Sequence, residues 1–287
     1  MLTKKLVLLF CITASVLSCK KESTTNNNEV KAINYANVPY GSDALQVMDV
    51  YLPAGRSQSS TKSIVLLHGG AWATGDKAEF LLFIDSLKKY LPGYAIFNIN
   101  YRLYGVGGNK FPTQELDTKA GIEFIYSKRT EYGISDNFTL MGTSAGGHLA
   151  LLYAYKYSTP VKIKLVVDFY GPTDIKDLYD HPGLSPQAAL AEIVGATPDA
   201  DPGLYFQCSP INYATNSAAC PTIILHGSDD VLVDPARQSK KLRNKLMIEG
   251  VAVQYVEYPG SGHGFWGSAT YADAFSQIKS FASQHNP

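Results

Sequence analysis

The sequence predicts an α/β fold in which a mostly parallel central sheet carries helices on both faces. Two kinds of segment alternate along the chain: short runs of consecutive apolar residues, and longer segments with apolar residues at four-residue spacing. Continuous apolar runs are typical of strands buried on both faces, and four-residue spacing is typical of helices. Helices between successive strands form right-handed crossovers, which make neighbouring strands parallel.

The strands are predicted from their apolar runs and from the Gly and Pro residues that bound them. The first, residues 45–52, alternates between apolar and polar side chains and ends at Pro53. The others cover residues 63–67, 95–101, 138–141, 164–169, 222–225 and 251–256. In such a sheet we expect the chemistry in loops at the carboxyl ends of the strands.

Helices are predicted where apolar residues return every four positions. This spacing occurs at Leu116, Ala120 and Phe124, at Leu242 and Leu246 after Pro235, and a final helix is predicted over residues 271–281. Residues 171–219 are rich in Pro, Asp and Tyr and read as irregular. We expect them to form an insertion over the strand ends rather than a second domain.

The composition favours one large hydrophobic core. The chain has 287 residues, of which 45% are hydrophobic, and 25 Lys and Arg residues balance 25 Asp and Glu residues. With no basic excess, the electrostatic attraction behind non-specific nucleic-acid binding is missing. No HExxH or CxxC sequence predicts a metal site, and no GxGxxG or Walker A sequence predicts a nucleotide cofactor. We therefore expect no metal, no cofactor and no nucleic-acid partner, and the oligomeric state stays open.

The first residues predict export of the chain. Lys4 and Lys5 precede an apolar run, residues 6–17, that is well short of the ~20 residues of a membrane-spanning helix. The run ends in VLSC, which resembles a bacterial lipobox; the resemblance implies cleavage before Cys19 and lipidation of that cysteine. Residues 20–28 are polar and are expected to act as a tether. An ordinary signal peptide with a chance cysteine is the alternative.

The predicted organisation is a signal peptide over residues 1–18, a lipidated cysteine and tether over residues 19–30, and one domain over residues 31–287. The lipid anchor would then be the sole link to the membrane, on the periplasmic side or at the cell surface. In an exported chain, Cys208 and Cys220 are candidates for a disulfide. Two separate buried thiols are the alternative, because the sequence spacing fixes no geometry.

A GxSxG motif, GTSAG at residues 142–146, lies between a predicted strand and an Ala- and Leu-rich helix. This is the context of a nucleophile elbow, a sharp turn that exposes a serine in a strained backbone conformation. The glycines are needed because the turn leaves no room for neighbouring side chains. Ser144 is therefore the candidate nucleophile, at a helix N-terminus that favours developing negative charge.

A glycine pair follows the strand at residues 63–67, in the sequence HGGAW at residues 68–72. Paired glycines let backbone N–H groups approach a substrate oxygen, as in an oxyanion hole. We assign the donors to the backbone of Gly70 or Ala71 together with that of Ala145. A simple glycine turn is the alternative, and His68 is expected to anchor the loop.

The last two predicted strands are followed by HGSDDVLV at residues 226–233 and by GSGHGF at residues 260–265. An acid and then a histidine complete the chain order Ser, Asp, His. A serine is a weak nucleophile until a neutral imidazole accepts its proton, and a carboxylate must orient that imidazole. The remaining histidines near these motifs, His148 and His226, are expected to be structural.

Together these residues resemble the α/β-hydrolase family, specifically its esterase branch with an HGGxW oxyanion motif. The resemblance extends from about residue 45 to the C-terminus, through GDK at residues 75–77, YRL at 101–103, FPTQ at 111–114 with Asp117, and SPI at 209–211. The family's acid lies four residues after the histidine of its HG pair, which is Asp230 here, and its histidine falls on His263. The other candidates for the acid are Asp229, Asp234 and Asp174.

The resemblance implies a serine carboxylic-ester hydrolase in which Ser144 attacks the ester, His263 transfers the proton and Asp230 orients His263. Relatives with HGGxW include acetylxylan and feruloyl esterases, carboxylesterases and arylformamidases, and export favours short-acyl or feruloyl esters of carbohydrates. An arylformamidase-like amide hydrolase and a lipid-anchored binding protein without catalysis are the alternatives. Five aromatic residues are candidates for lining the pocket: Tyr170, Tyr179, Tyr205, Phe206 and Trp266.

Overall fold

The computed structural model describes residues 30–264 and 267–287, and a sheet of eight strands lies at its centre. The strands are β1 (Ile33–Pro39), β2 (Val47–Leu52), β3 (Ser63–Leu67), β4 (Ala95–Ile99), β5 (Phe138–Thr143), β6 (Ile163–Phe169), β7 (Thr222–Gly227) and β8 (Val253–Tyr258). Their order across the sheet is β1-β2-β4-β3-β5-β6-β7-β8. The pairs β1 with β2 and β2 with β4 are antiparallel, and the others are parallel. The predicted fold class is confirmed.

Helices cover both faces of the sheet. They are α1 (Leu81–Tyr90), α2 (Thr113–Ser127), α3 (Arg129–Tyr132), α4 (Ala145–Lys156), α5 (Ile175–Asp180), α6 (Gln187–Val194), α7 (Pro202–Gln207), α8 (Ser239–Ile248) and α9 (Ser268–His285). One apolar cluster joins α2, α4 and α8 to one face, and a second joins α1 and α9 to the other. Successive residues of β3 alternate between the clusters, which explains why its sequence is apolar throughout.

The seven predicted strands all exist, with ends that differ by a few residues. The sequence pattern missed β1, because this antiparallel edge strand is largely exposed and has no apolar run. The description of residues 171–219 as irregular is wrong, since α5, α6 and α7 lie there. These helices have six to eight residues, too few for a clear apolar period. Capping aspartates, Asp174 and Asp201, begin the first and last of them.

The disulfide considered for Cys208 and Cys220 is not formed: both are buried free thiols. Cys208 directly follows α7 and its thiol points to the carbonyl oxygen of Tyr205 at 3.6 Å. Cys220 lies in the same apolar cluster, just before β7. Burial raises the pKa of both thiols to about 12, so each stays protonated and unreactive at neutral pH. The alternative of two buried thiols is the correct one.

The predicted signal peptide, Cys19 and the polar tether fall outside the described residues. In the part of the chain that is described, none of the helices has both the length and the apolar character needed to cross a bilayer.

Candidate active site

The turn at Ser144 joins β5 to α4 in the middle of the sheet. Its φ of 52° and ψ of −119° place Ser144 in a backbone conformation that costs about 1–3 kcal/mol. A side chain at Gly142 would overlap the backbone of Gly146, and one at Gly146 would overlap the carbonyl oxygen of Leu67 in β3. On the other side, the Ser144 amide donates to the carbonyl oxygen of Phe169 in β6 at 2.8 Å. Both neighbouring strands therefore fix the turn.

The structure brings Ser144, His263 and Asp230 into one chain of hydrogen bonds. His263 Nε2 lies 2.8 Å from Oγ of Ser144, and His263 Nδ1 lies 2.7 Å from Oδ2 of Asp230. The Asp230 side chain is fully buried, and 15% of the His263 side chain is exposed. The other carboxylate oxygen, Oδ1, accepts the backbone N–H groups of Leu232 and Val233 at 2.9 Å each. These bonds hold the carboxylate in one orientation.

Asp230 is ionised at neutral pH despite its burial. Burial raises the pKa of this carboxyl. Hydrogen bonds from His226 and His263, the charge of His263 and the backbone N–H of Val233 lower the pKa, and together they outweigh the effect of burial. The pKa of Asp230 therefore lies well below that of a free aspartate.

The alternative acids have other partners. Asp229 accepts the hydroxyl of Ser228 at 2.6 Å, and Asp234 accepts the amides two and three residues after it. Asp174 caps α5 and pairs with Lys241 at 2.7 Å. Of the four aspartates considered, Asp230 is the one in contact with the histidine.

The loop at residues 68–72 has an uncommon backbone conformation. Gly70 has a φ of 100°, and a side chain there would overlap the backbone of Thr74. Ala71 and Trp72 also have positive φ, at 50° and 58°. A positive φ is uncommon for residues other than glycine, so three such residues in succession give the loop an unusual backbone path.

Three backbone amides are available for an oxyanion. Among the described residues, no acceptor is found for the amides of Gly70 and Ala71. Ala145 is the first residue of α4, where an N–H group has no acceptor within its own helix. The sequence assigned these residues to an oxyanion hole, and all three line the same cavity as Ser144.

Two buried aromatic contacts hold the loop in place. Tyr101 donates its hydroxyl to the carbonyl oxygen of His68 at 2.8 Å, and the two rings stack with centres 4.3 Å apart. The Trp72 indole donates to Nδ1 of His148 at 3.1 Å, and His148 Nε2 donates to the carbonyl oxygen of Cys208 at 2.6 Å. Burial lowers the pKa of His148 to about 4, so the ring is neutral, as its acceptor role requires. His148 therefore acts structurally.

A cavity of about 380 Å³ opens in front of Ser144. Its walls combine apolar and polar residues. The apolar residues are Trp72, Tyr170, Pro172, Leu178, Leu232 and Val233, and the polar ones include Thr74, Glu79, Thr143 and Ser185. The insertion at residues 171–219 supplies Pro172, Leu178 and Ser185, so it forms part of the wall.

The expected aromatic lining is present only at Tyr170 among the described candidates. Tyr179 packs against Tyr205 with ring centres 5.7 Å apart, and Phe206 packs against another tyrosine of the insertion at 6.0 Å. The expectation is wrong for these three, because their rings pack against other aromatic rings and none of them lines the cavity. Trp266 lies outside the described residues.

The sequence of residues 48–246 matches the family described as BD-FAE. The match covers more than half of the chain and includes the loop at residues 68–72, Ser144 and Asp230. The chain belongs to the BD-FAE family. His263 lies beyond the matched segment.

Similar proteins carry esterase names. Esterase LipC of Mycobacterium tuberculosis is 28% identical over 81% of this chain and 60% of its own length. Acetylxylan esterase of Xylanibacter ruminicola is 25% identical over 78% of this chain and 44% of its own length. A truncated carbohydrate esterase from gut microbiota has a solved structure that is 25% identical, with a TM-score of 0.71 over 88% of this chain and 98% of that one. The chain spans 52–60% of the length of three mycobacterial relatives.

A buried acid that the sequence analysis did not single out lies beneath the Ser144 turn. Asp168 is in β6, fully buried, and its Oδ1 accepts the amide of Gly171 at 3.0 Å. Its Oδ2 has no partner within the described residues, and a side chain at Gly147 of α4 would overlap its carboxyl group. Burial raises the pKa of Asp168 to about 8, against a smaller lowering by the Gly171 bond. Asp168 is therefore mostly protonated at neutral pH.

This buried acid is expected to make the stability of the protein depend on pH. Between the unfolded pKa of about 3.9 and the folded pKa of about 8, the folded state holds a proton that the unfolded state has lost. The free energy of unfolding is therefore expected to fall as pH rises through that window. Asp168→Asn, which mimics the neutral acid, should lose this part of the decline and be more stable relative to wild type at pH 8 than at pH 5, by about 1 kcal/mol or more.

Urea unfolding followed by circular dichroism at pH 5 and pH 8 measures this difference. The exposed Asp136 provides a matched control, because Asp136→Asn should keep the wild-type pH dependence. Equal pH dependence in wild type and Asp168→Asn would contradict a neutral Asp168.

Proposed function

We propose that the chain is a serine carboxylic-ester hydrolase that works through an acyl-enzyme. The observation that carries this proposal is the continuous hydrogen-bonded chain from Ser144 through His263 to Asp230, with bonds of 2.8 and 2.7 Å. The esterase names of its relatives agree with it.

The geometry assigns each proton. The Asp230 carboxylate only accepts, so His263 carries a proton on Nδ1 and presents the lone pair of Nε2 to the Ser144 hydroxyl. When Oγ attacks the ester carbonyl carbon, its proton moves to Nε2 and then to the departing alcohol. Water then enters, gives a proton to Nε2 and attacks the acyl carbon. The bond between that carbon and Oγ breaks, Nε2 returns the proton to Oγ, and the acid leaves.

The carbonyl oxygen becomes negative in both tetrahedral intermediates, and the amides of Gly70, Ala71 and Ala145 are the proposed donors to it. They come from two separate backbone segments on either side of Ser144. The amide of Ala145 also lies at the N-terminus of α4, where the helix dipole favours negative charge. Backbone donors of this kind need no reorganisation during the reaction, which makes them effective catalysts.

The proposed substrates are short-acyl or feruloyl esters of carbohydrates. A cavity of about 380 Å³ fits an acyl group and part of an alcohol, and its apolar wall suits the acyl chain. The polar lining residues Thr74, Glu79 and Ser185 offer hydrogen-bond partners for sugar hydroxyls. Two relatives are named for this chemistry, an acetylxylan esterase and a carbohydrate esterase.

The Ser144→Ala variant tests the reaction class. We expect it to lower kcat on para-nitrophenyl acetate, methyl ferulate and acetylated xylan by about 10⁴-fold or more, because the nucleophile is lost. Ser57→Ala, which changes a partly exposed serine in a turn that does not line the cavity, should keep wild-type rates. Release of acetate, ferulate or nitrophenol measures turnover.

If the wild type hydrolyses N-formylkynurenine and no ester, the proposed substrate class is wrong, whereas Ser144 remains the proposed nucleophile. Wild-type inactivity on every substrate, with ligand binding retained in Ser144→Ala, would instead support a binding protein. Esterase activity that survives in Ser144→Ala would contradict the proposed nucleophile.

We also propose that the protein is an exported lipoprotein anchored through Cys19. The lipobox-like sequence VLSC and the polar residues that follow it support this proposal. Wild-type protein in a bacterial host should then incorporate radioactive palmitate. Cys19→Ala should lose the label and Cys11→Ala, the matched control, should keep it. Label retained in Cys19→Ala, or absent from wild type, would contradict the anchor.

A further inference from the structure

A second histidine contacts the acid of the proposed triad. His226, near the end of β7, is fully buried, and its Nε2 lies 2.9 Å from Oδ2 of Asp230. That oxygen is the one that His263 Nδ1 contacts at 2.7 Å. Two imidazoles therefore share one carboxylate oxygen, while the other oxygen receives two backbone amides.

The partners of His226 fix where its proton lies. Nε2 faces two acceptors, Oδ2 of Asp230 at 2.9 Å and the carbonyl oxygen of Val233 at 3.0 Å, so Nε2 must carry a proton. Nδ1 lies 2.6 Å from Oγ of Ser239, the first residue of α8, which can donate its hydroxyl proton to that nitrogen. A chain of donors thus runs from Ser239 through His226 to Asp230. It ends on Oδ2, the same carboxylate oxygen that His263 contacts.

The Asp230 carboxylate therefore accepts hydrogen bonds from both His226 and His263. A hydrogen bond from His226 stabilises the negative charge of Asp230, which makes this group less basic. A less basic carboxylate attracts the proton of His263 less strongly. The same bond, together with the two backbone amides on Oδ1, holds Asp230 in the orientation in which it contacts His263.

Other titratable groups lie near His226 and His263, and the variants described below leave all of these groups unchanged. The Tyr170 ring packs 4.7 Å from the His263 ring and 6.3 Å from the His226 ring. On the opposite side, Glu257 of β8 lies beside His226 in the strand register and pairs with Lys240 of α8 at 2.6 Å. Asp229, next to Asp230 in sequence, is bonded to Ser228.

We propose that His226 is a positioning residue that orients Asp230 and sets the pH at which His263 becomes an active base. The proposal rests on the proposed esterase function of the same site. It assigns His226 no contact with the substrate, since Asp230 and His263 lie between His226 and Ser144.

Substitution of His226 by glutamine or asparagine distinguishes a role in orienting Asp230 from a role in packing alone. The amide N–H of Gln reaches about as far as Nε2 of histidine, whereas that of Asn is shorter. In the full-length protein, His226→Asn should remove a donor from Asp230 and make the carboxylate more basic. We expect the acidic limb of its kcat/KM profile to move to higher pH by about half a unit or more, with kcat lowered about tenfold. His226→Gln should restore the wild-type limb.

The Ser239→Ala variant supplies a second test in which His226 remains. Loss of the hydroxyl leaves Nδ1 without its donor, so we expect a smaller shift of the acidic limb in the same direction. Urea unfolding of each variant shows whether it is folded. If His226→Asn does not fold, a wild-type limb in Ser239→Ala contradicts the proposal.

An NMR titration of the downfield His263 ring proton gives a readout that needs no turnover. Its transition should move with the His226→Asn substitution and return with His226→Gln. An inactive wild type with this shift would overturn the proposed function alone. Identical profiles in wild type, His226→Asn and Ser239→Ala, in an active enzyme, would overturn the role of His226 alone.

Discussion

The close approach of the Ser144 turn to strand β3 is the constraint on which the site depends. Ser144 has a positive φ, a strained backbone conformation that costs about 1–3 kcal/mol and that surrounding contacts must maintain. It persists because Gly142 and Gly146 let α4 pack directly on the carbonyl oxygen of Leu67, and because the Ser144 amide is bonded to β6. This packing puts the serine hydroxyl and the α4 N-terminus at the same point of the sheet edge.

The parallel sheet brings distant segments to that edge. His263 and Ser144 are 119 positions apart in the chain, and His263 and Asp230 are 33 apart. They meet because β5, β7 and β8 run in the same direction and end side by side with β6 between them. The loop at residues 68–72 follows β3, on the other side of β5. One strand direction therefore places Ser144, His263 and the loop at residues 68–72 around a single cavity, with Asp230 in contact with His263 behind it.

The sequence predicts most of the fold because strands buried on both faces leave continuous apolar runs. It also predicts Ser144 and the loop at residues 68–72, because both need glycines next to a strand end. The exposed strand β1 leaves no such pattern. The buried acid Asp168 and the contact between His226 and Asp230 are missed for another reason: they depend on how the fold brings residues together, which no local pattern records. His226 does have a sequence signal, because it lies four residues before Asp230. That spacing alone does not show a contact, since a histidine at the end of a strand gives the same pattern.

The most direct test of this account is to treat the folded protein with a fluorophosphonate and to map the adduct by mass spectrometry. Such a reagent reacts with an activated serine, and the bond that it forms mimics the tetrahedral intermediate. The account predicts a single phosphonyl group, on the peptide that contains Ser144, and no labelling after Ser144→Ala. Labelling of a different residue, or none at all in the folded protein, would contradict it.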